Sequence, residues 1–133
     1  MNVKRKGSTK ERELANHFWE RGCAVLRGCS SGGGIRKRYV PDLVAICREK
    51  VLIFEVKYRS KYGTIAVESK KIEKLLDFAK RAGGEAFLLV KYGKNPWKVL
   101  KAAERVGKED YKKAMELRAF LETIFSQRVD QYF

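Results

Sequence analysis

The sequence predicts a single α/β domain, a mixed β-sheet flanked by helices. Three observations carry this. The chain has 133 residues, 44% of them hydrophobic, enough for one domain that buries roughly two-thirds of its unfolded surface without a disulfide or metal. Stretches of helical spacing alternate with strand-like stretches in the order α-β-β-β-α-β-β-α. One strand, Ala86 to Val90, is apolar without alternation, as expected when both faces of a strand are covered.

Residues 1–7 read as a basic arm, mobile until an anion binds it. From Ser8 to about Arg21, Leu14, Ala15, Phe18 and Trp19 recur at helical spacing, and Gly22 ends the helix. His17 flanks that stripe and is assigned no catalytic role. Cys23 to Arg27 is a short strand, and Gly28 to Arg38 a loop. Tyr39 to Cys47 and Val51 to Tyr58 are strands joined by a tight turn at Arg48-Glu49-Lys50, hence an antiparallel hairpin. After a partly extended connection from Lys61 to Val67, Glu68 to Ala82 is a helix with Ile72, Leu75, Leu76, Ala79 and Ala82 facing inward and Phe78 off the stripe. Gly83-Gly84 stops it. Pro96 to Leu100 is read as an edge strand because of its proline. Lys108 to about Phe125 is read as one final helix, followed by a tail, residues 126–133.

The chain carries 30 Lys and Arg against 16 Asp and Glu, a net charge of +14. Such an excess points to a polyanion, with nucleic acid first and an anionic membrane surface second. No apolar run approaches the roughly 20 residues of a membrane span. The basic start has no apolar segment behind it, so no signal peptide is expected. The protein is therefore expected to be soluble and cytoplasmic, associated with the nucleoid. Cys23, Cys29 and Cys47 lack the short spacings of a zinc site or disulfide framework and read as reduced, mostly buried side chains. The chain has only five Asn and Gln residues, which leans towards a thermophilic source.

The strongest chemical signal is Pro41-Asp42 followed thirteen residues later by Glu55-Val56-Lys57. Residues i and i+2 of a strand share a face, so Glu55 and Lys57 project together. Asp42 joins them if the turn has two residues. A turn at Glu49-Lys50 pairs Asp42 with Lys57, and one at Arg48-Glu49 pairs it with Glu55. A three-residue loop reverses its face unless a bulge near Pro41 restores it. The same-face register is expected. Two carboxylates suit a hard cation such as Mg²⁺, with Mn²⁺ able to substitute, and Mg²⁺ also binds phosphate oxygens. Such a cation can activate a water and neutralise charge at phosphorus, with Lys57 stabilising charge or orienting the water. The structural alternative is a same-face Glu-x-Lys ion pair beside a Pro-Asp turn.

Ser8-Thr9-Lys10-Glu11 fits a capping box, which suffices to explain Glu11. The functional alternative makes Glu11 a third carboxylate at the site and Arg12 a phosphate contact. Ser30 to Gly34 is either an ordinary linker or a loop that offers backbone N–H groups to phosphate. It lacks a P-loop Gly-Lys-Ser/Thr. Arg36-Lys37-Arg38 favours DNA.

Taken together, Arg5-Lys6-Gly7-Ser8…Glu11-Arg12, Gly22-Cys23-Ala24-Val25-Leu26-Arg27, Ser31-Gly32, Pro41-Asp42-Leu43-Val44-Ala45 and Glu55-Val56-Lys57 resemble the archaeal Holliday junction resolvases of the Hjc type, members of the PD-(D/E)xK nuclease superfamily. The resemblance covers about residues 4–92 and more loosely the rest. It implies a restriction-endonuclease-like fold and a homodimer that makes paired, Mg²⁺-dependent nicks in four-way DNA junctions. It also implies Glu11, Asp42, Glu55 and the Val56 carbonyl as metal ligands or their supports, Lys57 as catalytic lysine, and Ser31 as a loop serine needed for activity. Phe78 is a candidate for the dimer interface. The DNA contacts expected are Lys4, Arg5, Lys6, Lys10, Arg12, Arg27, Ser30, Ser31, Gly32, Arg36, Lys37, Arg38 and Arg59. At the C-terminus, Val129-x-x-Tyr132-Phe133 has the spacing of a sliding-clamp (PCNA) binding motif, with Ser126 where glutamine is usual. The alternative is that these aromatics pack back on the domain.

Two other functions compete: a different PD-(D/E)xK nuclease, and a basic DNA-binding module without catalysis. The acids argue against the module, since Asp42 and Glu55 on a DNA-facing surface repel phosphate. Residues 1–62 carry a net +9 and residues 63–133 a net +5. The denser half holds the candidate site, which reads as a basic rim around a small acidic centre.

Overall fold

The alternation along the longest strand organises the molecule. In Lys50–Arg59 (β3), Leu52 and Phe54 face one apolar cluster and Ile53 faces another, all three buried. Each face therefore needs its own cover. The computed structural model describes the backbone of residues 2–28 and 38–131 and the side chains of residues 9–28 and 38–126.

Two helices cover the first face, Asn2–Glu20 (α1) and Leu117–Gln131 (α4), through Leu14, Phe18, Leu117 and Leu121. The second is covered by Ser69–Ala82 (α2), Lys108–Lys113 (α3) and a small two-stranded sheet, through Leu75, Ile65, Val106 and Tyr111. Between them lies a six-stranded sheet. Its strands are Ala24–Arg27 (β1), Leu43–Cys47 (β2), β3, Glu85–Tyr92 (β5), Lys98–Lys101 (β6) and Met115–Glu116 (β8), in the order β1-β2-β3-β5-β6-β8. Ile65–Ala66 (β4) pairs with Arg105–Val106 (β7) in the small sheet. Only β3 and β5 run parallel, because α2 lies in the crossover between them; the other ladders are antiparallel. Among the described residues no helix is long and apolar enough to cross a membrane.

The hairpin turn is the two-residue one at Arg48-Glu49. Cys47 pairs with Lys50 and Leu43 with Phe54, and Arg48 takes a φ of 63°. β2 starts at Leu43 rather than Tyr39. Pro41, just before it, has no N–H to give a ladder.

Several expectations are corrected. α1 begins at Asn2, so residues 2–7, read as an arm, are helical in backbone. Lysine and arginine are good helix formers, and no proline interrupts them. Ser8 consequently lies inside the helix and cannot head a capping box with Glu11. In α2, Ile72, Leu75 and Ala79 are buried as read, but Leu76 is 51% exposed and Ala82 is exposed as well. Leu76 stands about 100° around the helix from Leu75 and so leaves the sheet-facing stripe. β6 is an interior strand, because β8 pairs beyond it. Pro96 precedes β6 and occupies none of its ladder positions. The final helix is divided: α3 stops at Lys113, Met115 and Glu116 join the sheet, and α4 continues through Gln131. Residues 126–131, read as a tail, are therefore part of α4.

Cys23 and Cys47 are joined in a disulfide, which corrects the reading of reduced cysteines. The register that sets Ala24 opposite Ile46 brings the two together, with Cα atoms 4.3 Å apart. Both are buried, as expected. Cys29 lies outside the described residues.

Candidate active site

Asp42 is positioned by a close crossing of backbones. The Gly28 N–H donates to the Asp42 carbonyl at 2.9 Å. A Cβ on Gly28 would lie 2.0 Å from the Pro41 carbonyl oxygen, so only glycine lets the end of β1 pass this close. Continued one step, the hairpin register sets Asp42 opposite Glu55. The Asp42 carboxylate reaches back along the strand, where Oδ2 accepts the Val56 N–H at 2.8 Å. Since the N–H and C=O of a strand residue leave on the same side, the Val56 carbonyl also points off β3 towards Asp42, where β2 has already ended.

Glu55 is 1% exposed. Burying a carboxylate is costly unless it is paired and hydrogen-bonded. Here Tyr39 donates its hydroxyl to Oε1 at 2.7 Å, and the Lys71 ammonium lies 2.9 Å from Oε2. Asp42 stands within hydrogen-bonding reach of the same side chain. Burial first, and then the Glu55 charge, push the Asp42 carboxyl up to about 7, against the opposing Val56 hydrogen bond. Burial and the bond to Glu55 drive the Tyr39 phenol far above its ordinary value. Lys57, two residues beyond Glu55, is half-buried; burial and the neighbouring Lys71 lower its pKa, while Glu55 and Asp42 oppose the shift. Burial also pulls Lys71 down, but its hydrogen bond to Glu55 and the carboxylate charges outweigh this, and its net shift is upward.

Glu11 approaches from α1. Its carboxylate lies 3.8 Å from the Arg27 guanidinium. Burial raises its pKa, Arg27 opposes the rise and the Glu55 charge adds to it. Glu11 also contributes to the rise at Asp42. The three acids thus share one electrostatic environment. Yet among the described residues no three or more His, Cys, Asp or Glu side chains cluster tightly enough to hold a metal ion. The pair that comes together is Asp42 and Glu55.

Of the expected DNA contacts, Lys10, Arg12, Arg27, Arg38 and Arg59 have described side chains. Lys10 lies over the Tyr58 ring at 4.9 Å and 4.0 Å from Glu13. Arg12 is exposed. Arg59 is exposed and donates to the Tyr58 carbonyl at 2.9 Å. Arg38 lines an open groove of about 640 Å³ with Tyr39, Glu73, Lys74, Asp77, Phe78 and Arg81. Phe78 is half-buried with its ring 6.3 Å from that of Tyr39. Lys4, Arg5 and Lys6 lie on the first turns of α1, but their side chains are outside the described residues, as is that of Val129. Ser30, Ser31, Gly32, Arg36, Lys37, Tyr132 and Phe133 also lie outside them. His17 is exposed.

Tyr39 and Lys71 were not among the residues singled out from sequence. For Lys71 a signal existed: it stands four residues before the buried Leu75 and so borders the sheet-facing stripe of α2. Tyr39 carried none, since only the folded loop brings it over Glu55.

A family model for the archaeal Holliday junction resolvase (Hjc) matches residues 2–129. Crossover junction endodeoxyribonuclease Hjc of Sulfolobus acidocaldarius is 38% identical over 95 residues, covering 71% of this chain and 66% of the relative. The protein of the same name from Sulfurisphaera tokodaii is 40% identical over 91 residues, covering 68% and 62%. The matched stretch thus spans somewhat less than two-thirds of these relatives. The solved structure of Archaeoglobus fulgidus Hjc, a Holliday junction resolvase, superposes with a TM-score of 0.76 at 25% identity, covering 88% of this chain and 98% of that one.

Proposed function

We propose that this chain, which belongs to the archaeal Holliday junction resolvase (Hjc) family, is a metal-dependent endonuclease that resolves four-way DNA junctions by paired nicks. The observation that carries the reading is Asp42 set opposite Glu55, with Lys57 two residues on along the same face.

The residues fit a hard divalent cation. The Asp42 carboxyl, pushed up to about 7 by burial first and by the Glu55 charge second, stands beside a second, buried carboxylate, where oxygen donors converge. Asp42, Glu55 and the Val56 carbonyl would hold the ion as oxygen donors, with Glu11 supporting them from α1. Mg²⁺, with Mn²⁺ as substitute, would supply charge neutralisation at the scissile phosphate and activation of a water. The chain's own part is positional. Val56 N–H fixes the Asp42 carboxylate, and Tyr39 fixes that of Glu55. Lys57, half-buried with a lowered pKa, offers its ammonium to a non-bridging phosphate oxygen or to the attacking water. Ser31 and the loop basic residues, with Lys10, Arg12, Arg27 and Arg59, would hold the strands.

A junction has approximate two-fold symmetry, so a homodimer would set two such sites on opposite strands. Phe78 and the exposed Leu76 are candidates for that interface. Association of Val129, Tyr132 and Phe133 with a sliding clamp rests on their spacing, and removal of residues 126–133 followed by calorimetry against the clamp tests it. The reading places the protein in the cytoplasm, at the nucleoid.

The central test is a nicking assay on a synthetic four-way junction with Mg²⁺ or EDTA and linear duplex as competitor. Symmetric nicks that need the metal and are lost in Asp42→Asn are expected. Equal cutting of duplex and junction would remove the junction specificity, and normal cutting by Asp42→Asn would remove the site.

A further inference from the structure

The end of the molecule beyond the candidate site carries charge and aromatic surface that the cleavage reading does not use. β3 leaves the site at Lys57 and ends at Arg59, on the same face and about 7 Å further along the strand. The chain then passes through Lys61 to Tyr62. Tyr62 is 42% exposed. Its ring centroid lies 5.0 Å from that of Tyr92 and 6.2 Å from that of Tyr111, and Tyr92 meets Tyr111 edge-on at 5.0 Å. The Lys108 ammonium lies 4.7 Å from the Tyr62 centroid.

Backbone bonds hold this arrangement in place. The Gly93 N–H donates to the Arg59 carbonyl at 2.8 Å, bringing the turn that carries Lys94 beside Arg59. The Tyr92 hydroxyl donates to the Gly63 carbonyl at 2.5 Å, fixing the segment just past Tyr62. Arg59, Lys61, Lys94 and Lys108 are all exposed. The nearby acids are Glu109 and Asp110 on α3, and the Asp110 carboxylate already accepts the Gly107 N–H at 2.8 Å.

We propose that Lys61 and Lys108 beside Tyr62, with Lys94 on the turn next to Arg59, form a second phosphate contact that grips a duplex DNA arm beyond the point of cleavage. This rests on the nuclease reading above and extends its footprint. A lysine held over an aromatic ring has already lost part of its rotamer freedom, so Lys108 presents a fixed charge rather than a swinging one. The step from Lys57 to Arg59 is about two base-pair rises of DNA, which suits one continuous backbone path. Lys108 and Tyr92 crowd the Tyr62 ring, so it is a platform for a cation rather than a surface for stacking a base. The contact is therefore independent of base sequence.

The test is binding of the full chain to a four-way junction and to a linear duplex, measured by fluorescence anisotropy across a salt series in EDTA. The triple variant Lys61→Ala/Lys94→Ala/Lys108→Ala should bind both DNAs about 10-fold or more weakly at moderate salt. Its slope of log affinity against log salt should fall by about 2 to 3, near 0.9 per lost phosphate contact. The corresponding triple Lys→Arg variant should restore the slope, which a folding defect would not do. Tyr62→Leu should weaken binding by about three-fold with the slope retained, since the charge stays but its platform goes. Wild-type affinity and slope in the alanine variant would overturn the proposal. So would unchanged DNA binding with lost binding to anionic phosphatidylserine vesicles. A wild-type protein that ignores junction DNA altogether would instead overturn the nuclease reading beneath it.

Discussion

Phe54 and Glu55 are consecutive on β3 and almost equally hidden, at 0% and 1% exposure, but the two faces of the sheet keep them buried by opposite means. Phe54 lies between Phe18 and Phe87, ring centroids 5.3 and 5.9 Å away. Its burial needs nothing but shape, and removal from water stabilises it by roughly 1.5–3 kcal/mol. Glu55 on the other face is held by a phenol and an ammonium, with a second carboxyl at its side. On the proposed reading, a bound cation would take over part of that interaction. Both faces are packed, since Ile53 is buried in the second apolar cluster on the Glu55 side, but only the Glu55 position is held by charge.

The difference has its largest expected consequence at Phe54. Phe54→Ala should cost about 3–5 kcal/mol, measured by denaturant unfolding, and the loss should be the same in EDTA and in Mn²⁺. A deficit that Mn²⁺ repaired would mean that the apolar face also depends on the ion.

Lys71→Met should act differently. It leaves Glu55 buried with the Tyr39 hydroxyl and the Asp42 carboxyl but without its cation. Breaking a fully buried pair costs about 3–5 kcal/mol, but the Lys71 side chain is 42% exposed, so about 2 kcal/mol is expected in EDTA after screening. Because the competing ammonium is gone, Mn²⁺ should bind more tightly by calorimetry and restore most of the lost stability. A deficit of the same size with and without Mn²⁺, together with unchanged Mn²⁺ affinity, would make Lys71 an ordinary structural ion pair.

The part of this contrast that is local in sequence was legible there. The two-fold period of β3 and a two-residue turn put Asp42 on the face of Glu55 and Lys57, while which of the two it opposes depended on where the turn falls. What depends on distant packing was not. Lys71 and Tyr39 reach Glu55 only through the crossover helix and a folded loop. The Cys23–Cys47 bond needs the β1–β2 register, which no turn chemistry announces. Glu11 looked like a helix cap because Ser8 looked like a helix start, and the helix in fact begins six residues earlier, at Asn2. The last helix read as one because Met115 and Glu116 carry no breaker; the free edge of β6 captures them as a strand.

The smallest expected effect per unit change is in pH. In metal-free protein Asp42 is pushed up to about 7 from an ordinary 3.8. The folded state then holds a proton on Asp42 that the unfolded state has released. Stability contributed by that proton is complete below about pH 4 and is lost as pH rises through about 7, with a slope of at most about 1.4 kcal/mol per pH unit. Thermal unfolding in EDTA should therefore show wild type falling between about pH 4 and 7, and level above that, relative to Asp42→Asn, which has no such proton to release. The two should converge at the acid end of the range. Saturating Mn²⁺ should flatten the wild-type curve at the alkaline end, because the cation then does what the proton did. Parallel curves for the two proteins in EDTA would show that Asp42 and Glu55 do not share their charge, and would leave the Glu55 position resting on Lys71 and Tyr39.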